Sequence, residues 1–228
     1  MRGLYAILDL STLEARSLDP VAFARAVLRV RPAALQLRAK HTPSREVLTL
    51  LRELAPMCHA VGVPLVANDR PDLAVMAGCD IVHVGQTDMP IDRVRRIAPG
   101  LRVGVSTHTR EQLAAALAVR PDYVAFGPVF ETGTKRDAEP VVGVEGVRMA
   151  HAMAAAAGVP LVGIGGITLE RIHALVGLVD AAAVISELVA PAGDRDPLRL
   201  GRWSDVTARA QALQDWLLPP PPLAGAAT

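Results

Sequence analysis

The chain has 228 residues, 51% of them hydrophobic, which is ample for the core of one large domain or two small ones. Lys and Arg number 24 against 23 Asp and Glu, so no global charge excess points to nucleic acid or to a membrane surface, and any charge that matters must be local. Cys58 and Cys79 lack metal-ligand spacing and read as buried thiols of a reducing compartment. No basic segment leads into a long apolar run with a cleavage site, and no membrane span is visible, so a cytoplasmic protein is expected.

Short β-type runs recur at 4–9, 33–38, 64–68, 80–84, 102–106, 122–126, 160–164 and 181–185. Segments of helical spacing lie between them, such as Val21, Ala24, Val27, Leu28 and Val47, Leu50, Leu51, Leu54, and another follows the last run. Parallel neighbours need a crossover, so strict strand-helix alternation implies parallel strands, and eight such units can close on themselves. The expected fold is a single α/β (β/α)8 TIM barrel over residues 1–218, close to the usual length of about 250 residues. An open doubly wound sheet is the alternative, but it usually carries a glycine-rich fingerprint after its first strand, where this chain has Asp9-Leu10-Ser11-Thr12. The 127–142 connection is polar and contains Thr132, Gly133, Thr134, Lys135, Arg136 and Asp137, which suggests a mobile lid. The Pro-rich stretch 219–228 offers little to bury and is expected to be a frayed, disordered tail.

Barrel enzymes place their chemistry at the C-terminal ends of the strands, and the polar residues expected there form a coherent set. The second strand ends Gln36-Leu37-Arg38-Ala39-Lys40, and its period of two puts Gln36, Arg38 and Lys40 on the mouth-facing side. Such groups are costly to desolvate without a partner, and a diphosphate would serve; pairing of Arg38 and Lys40 with carboxylates at the barrel top is the plainer alternative. Asn68 and Asp69 close the third strand, and Asp88 follows the fourth, nineteen residues after Asp69. Two adjacent strands would then deliver hard oxygen ligands to one rim, which suits Mg2+, an ion that shares its shell with phosphates and water. Either Asp would alternatively be a cap or turn residue. His83 reads best as a satisfied core histidine, His108 is unassigned, and Ser106 would reach a substrate phosphate or bond the following backbone. Gly163-Ile164-Gly165-Gly166-Ile167-Thr168 and Val184-Ile185-Ser186 occupy the standard phosphate location of the barrel, where backbone N–H groups meet an anion. The inventory implies two phosphorylated small-molecule substrates, no nucleic acid and no membrane partner, and is compatible with a homo-oligomer.

In order and spacing, Gln36 to Lys40, Asn68-Asp69-Arg70, Val82 to Asp88, Gly104-Val105-Ser106, Gly127 to Phe130, Thr132 to Lys135, Gly163 to Ile167 and Ile185-Ser186 resemble the thiamine-phosphate synthase (thiamine-phosphate pyrophosphorylase) family. The resemblance implies a transferase that joins a hydroxymethylpyrimidine diphosphate to a thiazole phosphate, releasing diphosphate through a dissociative, magnesium-assisted step. It implies that Gln36, Arg38, Lys40, Asn68, Ser106 and Lys135 engage the pyrimidine diphosphate, with Arg38, Lys40, Lys135 and Ser106 serving the chemistry. It further implies that Asp69 and Asp88 hold Mg2+, that Thr132 and Thr134 contact the thiazole, and that Gly166, Ile185 and Ser186 meet its phosphate. A thiazole tautomerase is the first competing reading, because Phe130-Glu131-Thr132 is similar to that of tautomerases, whereas Asp88 and Pro128 favour the synthase. A non-catalytic phosphate-binding relative and a sugar-phosphate epimerase are the others; neither explains the diphosphate end.

Overall fold

The computed structural model describes residues 1–133, 139–189 and 202–218. Its strands are β1 (Gly3–Asp9), β2 (Ala34–Arg38), β3 (Leu65–Asn68), β4 (Ile81–Val84), β5 (Arg102–Thr107), β6 (Tyr123–Phe126), β7 (Leu161–Ile164) and β8 (Ala181–Val184). Each pairs in parallel with the next, and β8 returns to β1 with Ala181 opposite Gly3, so the sheet closes into the expected (β/α)8 barrel. The 219–228 stretch, Thr134 and Lys135 lie outside the described residues.

Strand parity divides the apolar residues into two layers. Leu4, Ala6 and Leu8 of β1 and Leu35 and Leu37 of β2 point outward, onto Phe23 and Val27 of α2 (Pro20–Leu28) and Leu51 and Leu54 of α3 (Ser44–Ala60). Each such large side chain contributes on the order of 1.5–3 kcal/mol by leaving water. The alternate positions fill the barrel with Tyr5, Ile7, Ala34, Val66, Ile81, Tyr123, Ala125, Val162, Ala181 and Ala183. Barrel interiors are usually dominated by bulky branched residues. Here alanines from β2, β6 and β8 leave room, and Gly104 of β5 makes way for the Tyr123 ring, since a Cβ on it would stand 2.0 Å from Tyr123 Cζ.

The N-terminal ends of the strands are tied by a repeated device. Asp80, Asp122 and Asp180 immediately precede β4, β6 and β8, and their carboxylates accept the N–H groups of Leu65, Val103 and Leu161 at 2.8, 2.8 and 2.9 Å. Each aspartate N–H also donates back to the carbonyl of the same residue. Ahead of β2 the corresponding residue is Ala33, whose N–H keeps the bond to Leu4 O, while the Leu4 N–H donates to Oε1 of Gln214 at 2.7 Å. Gln214 belongs to α8 (Arg202–Leu217), the helix that follows the last strand. Among the described residues no helix is long and apolar enough to cross a membrane.

Candidate active site

A cavity of about 310 Å³ opens at the C-terminal ends of the strands. Its floor is a line of hydrogen bonds inside the barrel. Gln36 donates from Nε2 to Asn68 Oδ1 at 2.7 Å and accepts at Oε1 from the Tyr5 hydroxyl at 2.6 Å. Tyr5 and Tyr123 share a 2.8 Å contact between hydroxyls, and His83 reaches Tyr123 OH through Nδ1 and Ser106 Oγ through Nε2, both at 2.8 Å. His83 is therefore a satisfied buried histidine, as expected, but it stands beneath the cavity and bonds a candidate site residue. Ser106 does not use its hydroxyl on the following backbone; it turns to His83, while its carbonyl accepts from Gln86 at 2.6 Å. Burial raises the pKa of both tyrosines, so both phenols stay protonated.

Gln36, Arg38 and Lys40 line the same cavity, as their parity requires. Arg38 pairs with Asp9, whose other oxygen accepts from Thr12 N–H and Thr12 Oγ1 at 3.1 and 2.7 Å and so caps α1 (Leu10–Glu14). Lys40 Nζ stands 3.5 Å from Asp69 Oδ2. Both cations thus have carboxylate neighbours at the rim, the plainer of the two arrangements the sequence left open. Cationic side chains at a half-dry rim take up the nearest acids to offset their desolvation.

Asp69 follows β3 in a left-handed conformation (φ 62°), with its N–H on the His83 carbonyl at 2.8 Å. Neither Asp69 nor Asp88 caps the next helix: Arg70 and Pro90 occupy those N-cap positions. Asp88 instead folds back onto the Gly85 N–H at 2.7 Å. Burial, and then the Asp88 carboxyl within hydrogen-bonding reach, push the pKa of Asp69 up to about 6, and Lys40 offsets part of that rise. Two acids held this close are what a divalent cation relieves. Their all-oxygen character fits magnesium, whose remaining positions go to phosphates and water. No group of three or more His, Cys, Asp or Glu among the described residues would hold a metal unaided.

Across the cavity, Gly165 and Gly166 have φ of 100° and 64°. A Cβ on Gly166 would stand 2.4 Å from Glu131 O, and one on Gly165 would stand 2.5 Å from Pro128 Cα. These glycines therefore admit the 128–131 segment as well as leaving backbone open toward an anion. That segment is pinned by Val129 N–H to Ile164 O and Phe130 N–H to Gly165 O, at 2.9 and 3.0 Å. Thr132, Ile185 and Ser186 also line the cavity. Thr168 Oγ1, just beyond the glycines, is buried without a hydrogen-bond partner among the described residues.

Gln36, Arg38, Lys40, Asn68, Asp69, Asp88, Ser106, Thr132, Gly166, Ile185 and Ser186 are thus brought to one cavity, which sequence reasoning anticipated. Tyr5, Tyr123 and the partnership of Asp9 were missed, although strand parity put Tyr5, Ile7 and Asp9 on the inner face. His108, to which the sequence assigns no role, lines the cavity and donates from Nδ1 to Gly127 O at 2.6 Å.

Residues 4–188 match the family model described as thiamine monophosphate synthase. Curated relatives include the thiamine-phosphate synthase of Roseiflexus castenholzii, 40% identical over 83% of this chain and 83% of that protein. Another is the thiamine-phosphate synthase of Methanocella arvoryzae, 35% identical over 92% of each chain. Among solved structures, thiamine phosphate pyrophosphorylase from Pyrococcus furiosus superposes with a TM-score of 0.79 at 28% identity, over 94% of both chains. An aldolase at 20% identity, with a TM-score of 0.67, shares the fold.

Proposed function

We propose, from the premise that the chain belongs to the thiamine monophosphate synthase family, how this cavity joins a hydroxymethylpyrimidine diphosphate to a thiazole phosphate, forming thiamine phosphate and diphosphate. Arg38 and Lys40 bind the diphosphate together with Lys135, and Gln36, Asn68 and Ser106 hold the pyrimidine and its phosphate ester from below. Asp69 and Asp88 hold Mg2+, which when bound neutralises charge on the departing diphosphate. Gly166, Ile185 and Ser186 receive the thiazole phosphate through backbone N–H groups and a hydroxyl, and Thr132 and Thr134 contact the thiazole.

The step these residues serve is dissociative. The carbon–oxygen bond to diphosphate breaks first, and its electron pair leaves with the diphosphate. The pyrimidine methyl cation that remains is captured by the lone pair of the thiazole nitrogen. No proton has to move and no protein nucleophile is required, so the work of the chain is electrostatic and positional. Arg38 and Lys40, already partnered by Asp9 and Asp69, are pre-set at the rim to share their charge with phosphate oxygens. The described 128–132 segment, held at the cavity by the Val129 and Phe130 N–H groups, helps to keep water from trapping the cation. The reading sets the protein in the cytoplasm as a catalyst on small phosphate esters.

The observation that carries this reading is the convergence of Asp69 and Asp88 beside Lys40 on one rim, because binding of a simple phosphate calls for neither acid. The test is incubation of the purified protein with both substrates, with magnesium or with chelator, read by mass detection. Magnesium-dependent thiamine phosphate is expected. Folded protein that yields none with either thiazole tautomer would overturn the reading in favour of a tautomerase or a binding-only relative.

A further inference from the structure

The floor of the cavity is a single hydrogen-bonded line, and its proton order can be worked out from one end to the other. An amide nitrogen only donates and an amide oxygen only accepts. Gln36 gives its Nε2 to Asn68 Oδ1 (2.7 Å), so its Oε1 takes the proton of Tyr5 (2.6 Å). A phenol has one proton to give, and that of Tyr5 is spent, so in the 2.8 Å contact between hydroxyls Tyr123 is the donor. Tyr123 then has only lone pairs for His83 Nδ1 at 2.8 Å, and Nδ1 must carry a hydrogen. In the neutral ring Nε2 is therefore the bare nitrogen, and the Ser106 hydroxyl donates to it at 2.8 Å. What Ser106 has left for a ligand is a lone pair.

We infer that His83 is a positioning residue: the line from Asn68 through Gln36, Tyr5 and Tyr123 fixes it as the Nδ1–H tautomer and makes Ser106 a hydrogen-bond acceptor, so that the floor selects a heterocycle bearing an amino group over its oxo counterpart.

The same line could run in reverse only if both amides turned over. Asn68 would then present Oδ1 to the ligand, and His83 would donate from Nε2 and leave Ser106 a donor. A diphosphate at the Asn68 end decides between the two, because an anion is met by the Nδ2 hydrogens and repelled by Oδ1. This step rests on the proposed function. It couples the two ends of the substrate: the anionic end sets the polarity with which the heterocycle is read, through five hydrogen bonds and no movement of the backbone.

The test is the nitrogen spectrum of the 15N-labelled protein with magnesium and inorganic diphosphate, the His83 ring being assigned by its loss in His83→Gln. A protonated Nδ1 with a bare, pyridine-type Nε2 is expected. An Nε2–H tautomer or a doubly protonated ring would overturn the inference. Tyr5→Phe extends the test, since it removes the acceptor for the Tyr123 proton and frees Tyr123 to donate to His83 Nδ1. The ring should switch to Nε2–H, and the preference in dissociation constant for the aminopyrimidine diphosphate over its oxo counterpart, measured without thiazole phosphate, should fall roughly 10- to 100-fold. Equal weakening of both ligands with an unchanged tautomer is what a merely structural role predicts, and it would overturn the assignment. Should Tyr5→Phe not fold, the tautomer of the unmutated protein still decides. An active protein with the Nε2–H form sinks the inference alone, whereas the expected tautomer in a protein without magnesium-dependent product sinks the functional reading and leaves the line standing.

Discussion

Asp9 holds two structures together at once: it neutralises Arg38 and caps α1 through Thr12. Its side chain is 2% exposed and that of Arg38 13%, so solvent does little to screen the pair. Asp9→Asn would leave a guanidinium without its counter-charge in a half-dry site and should cost about 3 kcal/mol, read as a lower urea midpoint with an unchanged slope. Asp69→Asn should behave in the opposite way. Its charge is held against Asp88 and against burial, so removing it relieves repulsion. The melting temperature in chelator should hold or rise, while kcat/KM falls by a factor on the order of 100 or more, by the arithmetic of a lost electrostatic contact to the leaving group. Intact activity in Asp69→Asn would remove that residue from the metal site. The difference between the two acids was not legible in the sequence. Asp69 and Asp88 announced themselves by following adjacent strands, but Asp9 meets Arg38 across 29 residues and Tyr5 meets Tyr123 across 118, and no local pattern encodes such partners.

Each strand was legible to within one residue at either end, because a buried parallel strand is a short apolar run and little else imitates it eight times in order. Two of the residues misassigned at strand starts, Asp80 and Asp122, are clamps of the barrel base, polar groups that end a hydrophobic pattern while completing its hydrogen bonds. Less legible were the 3-10 turns at Ile172–Leu175 and Ser186–Val189, too short to show a period. The substitution of Gln214 for the missing first clamp was equally hidden, since α8 reaches Leu4 from 210 residues away. Gln214→Ala should leave the Leu4 N–H buried and unpaired, costing about 1–3 kcal/mol with kcat unchanged, which paired denaturation and rate measurements would check. Gly104→Ala carries a heavier penalty. Its methyl would overlap the Tyr123 ring, so the ring must shift and with it the floor of the cavity. A loss of about 3 kcal/mol is expected, with kcat/KM falling alongside. Full activity in that variant would mean that the tyrosine does not hold the floor in place.

At the scale of the whole molecule the barrel separates two tasks: backbone clamps at the N-terminal ends of the strands, and charge gathered at the C-terminal ends around the Asp69–Asp88 pair proposed to hold magnesium. The charge at the mouth should make the folding equilibrium depend on pH in a way that magnesium reverses. In the metal-free protein Asp69 titrates at about 6, above the ordinary 3.8 of an unfolded chain, so the folded state binds that proton more tightly. Its contribution to stability is complete below about pH 3.8 and is lost as the pH rises through about 6. Magnesium competes with the same proton, so its stabilisation runs the other way and grows over the window in which the proton departs. The gain in melting temperature on adding magnesium should therefore be larger at about pH 8 than at about pH 5, and Asp69→Asn should flatten that difference. A gain of equal size at both pH values would mean that the ion binds without displacing this proton, and the two acids would then have to be read as a hydrogen-bonded pair rather than as ligands.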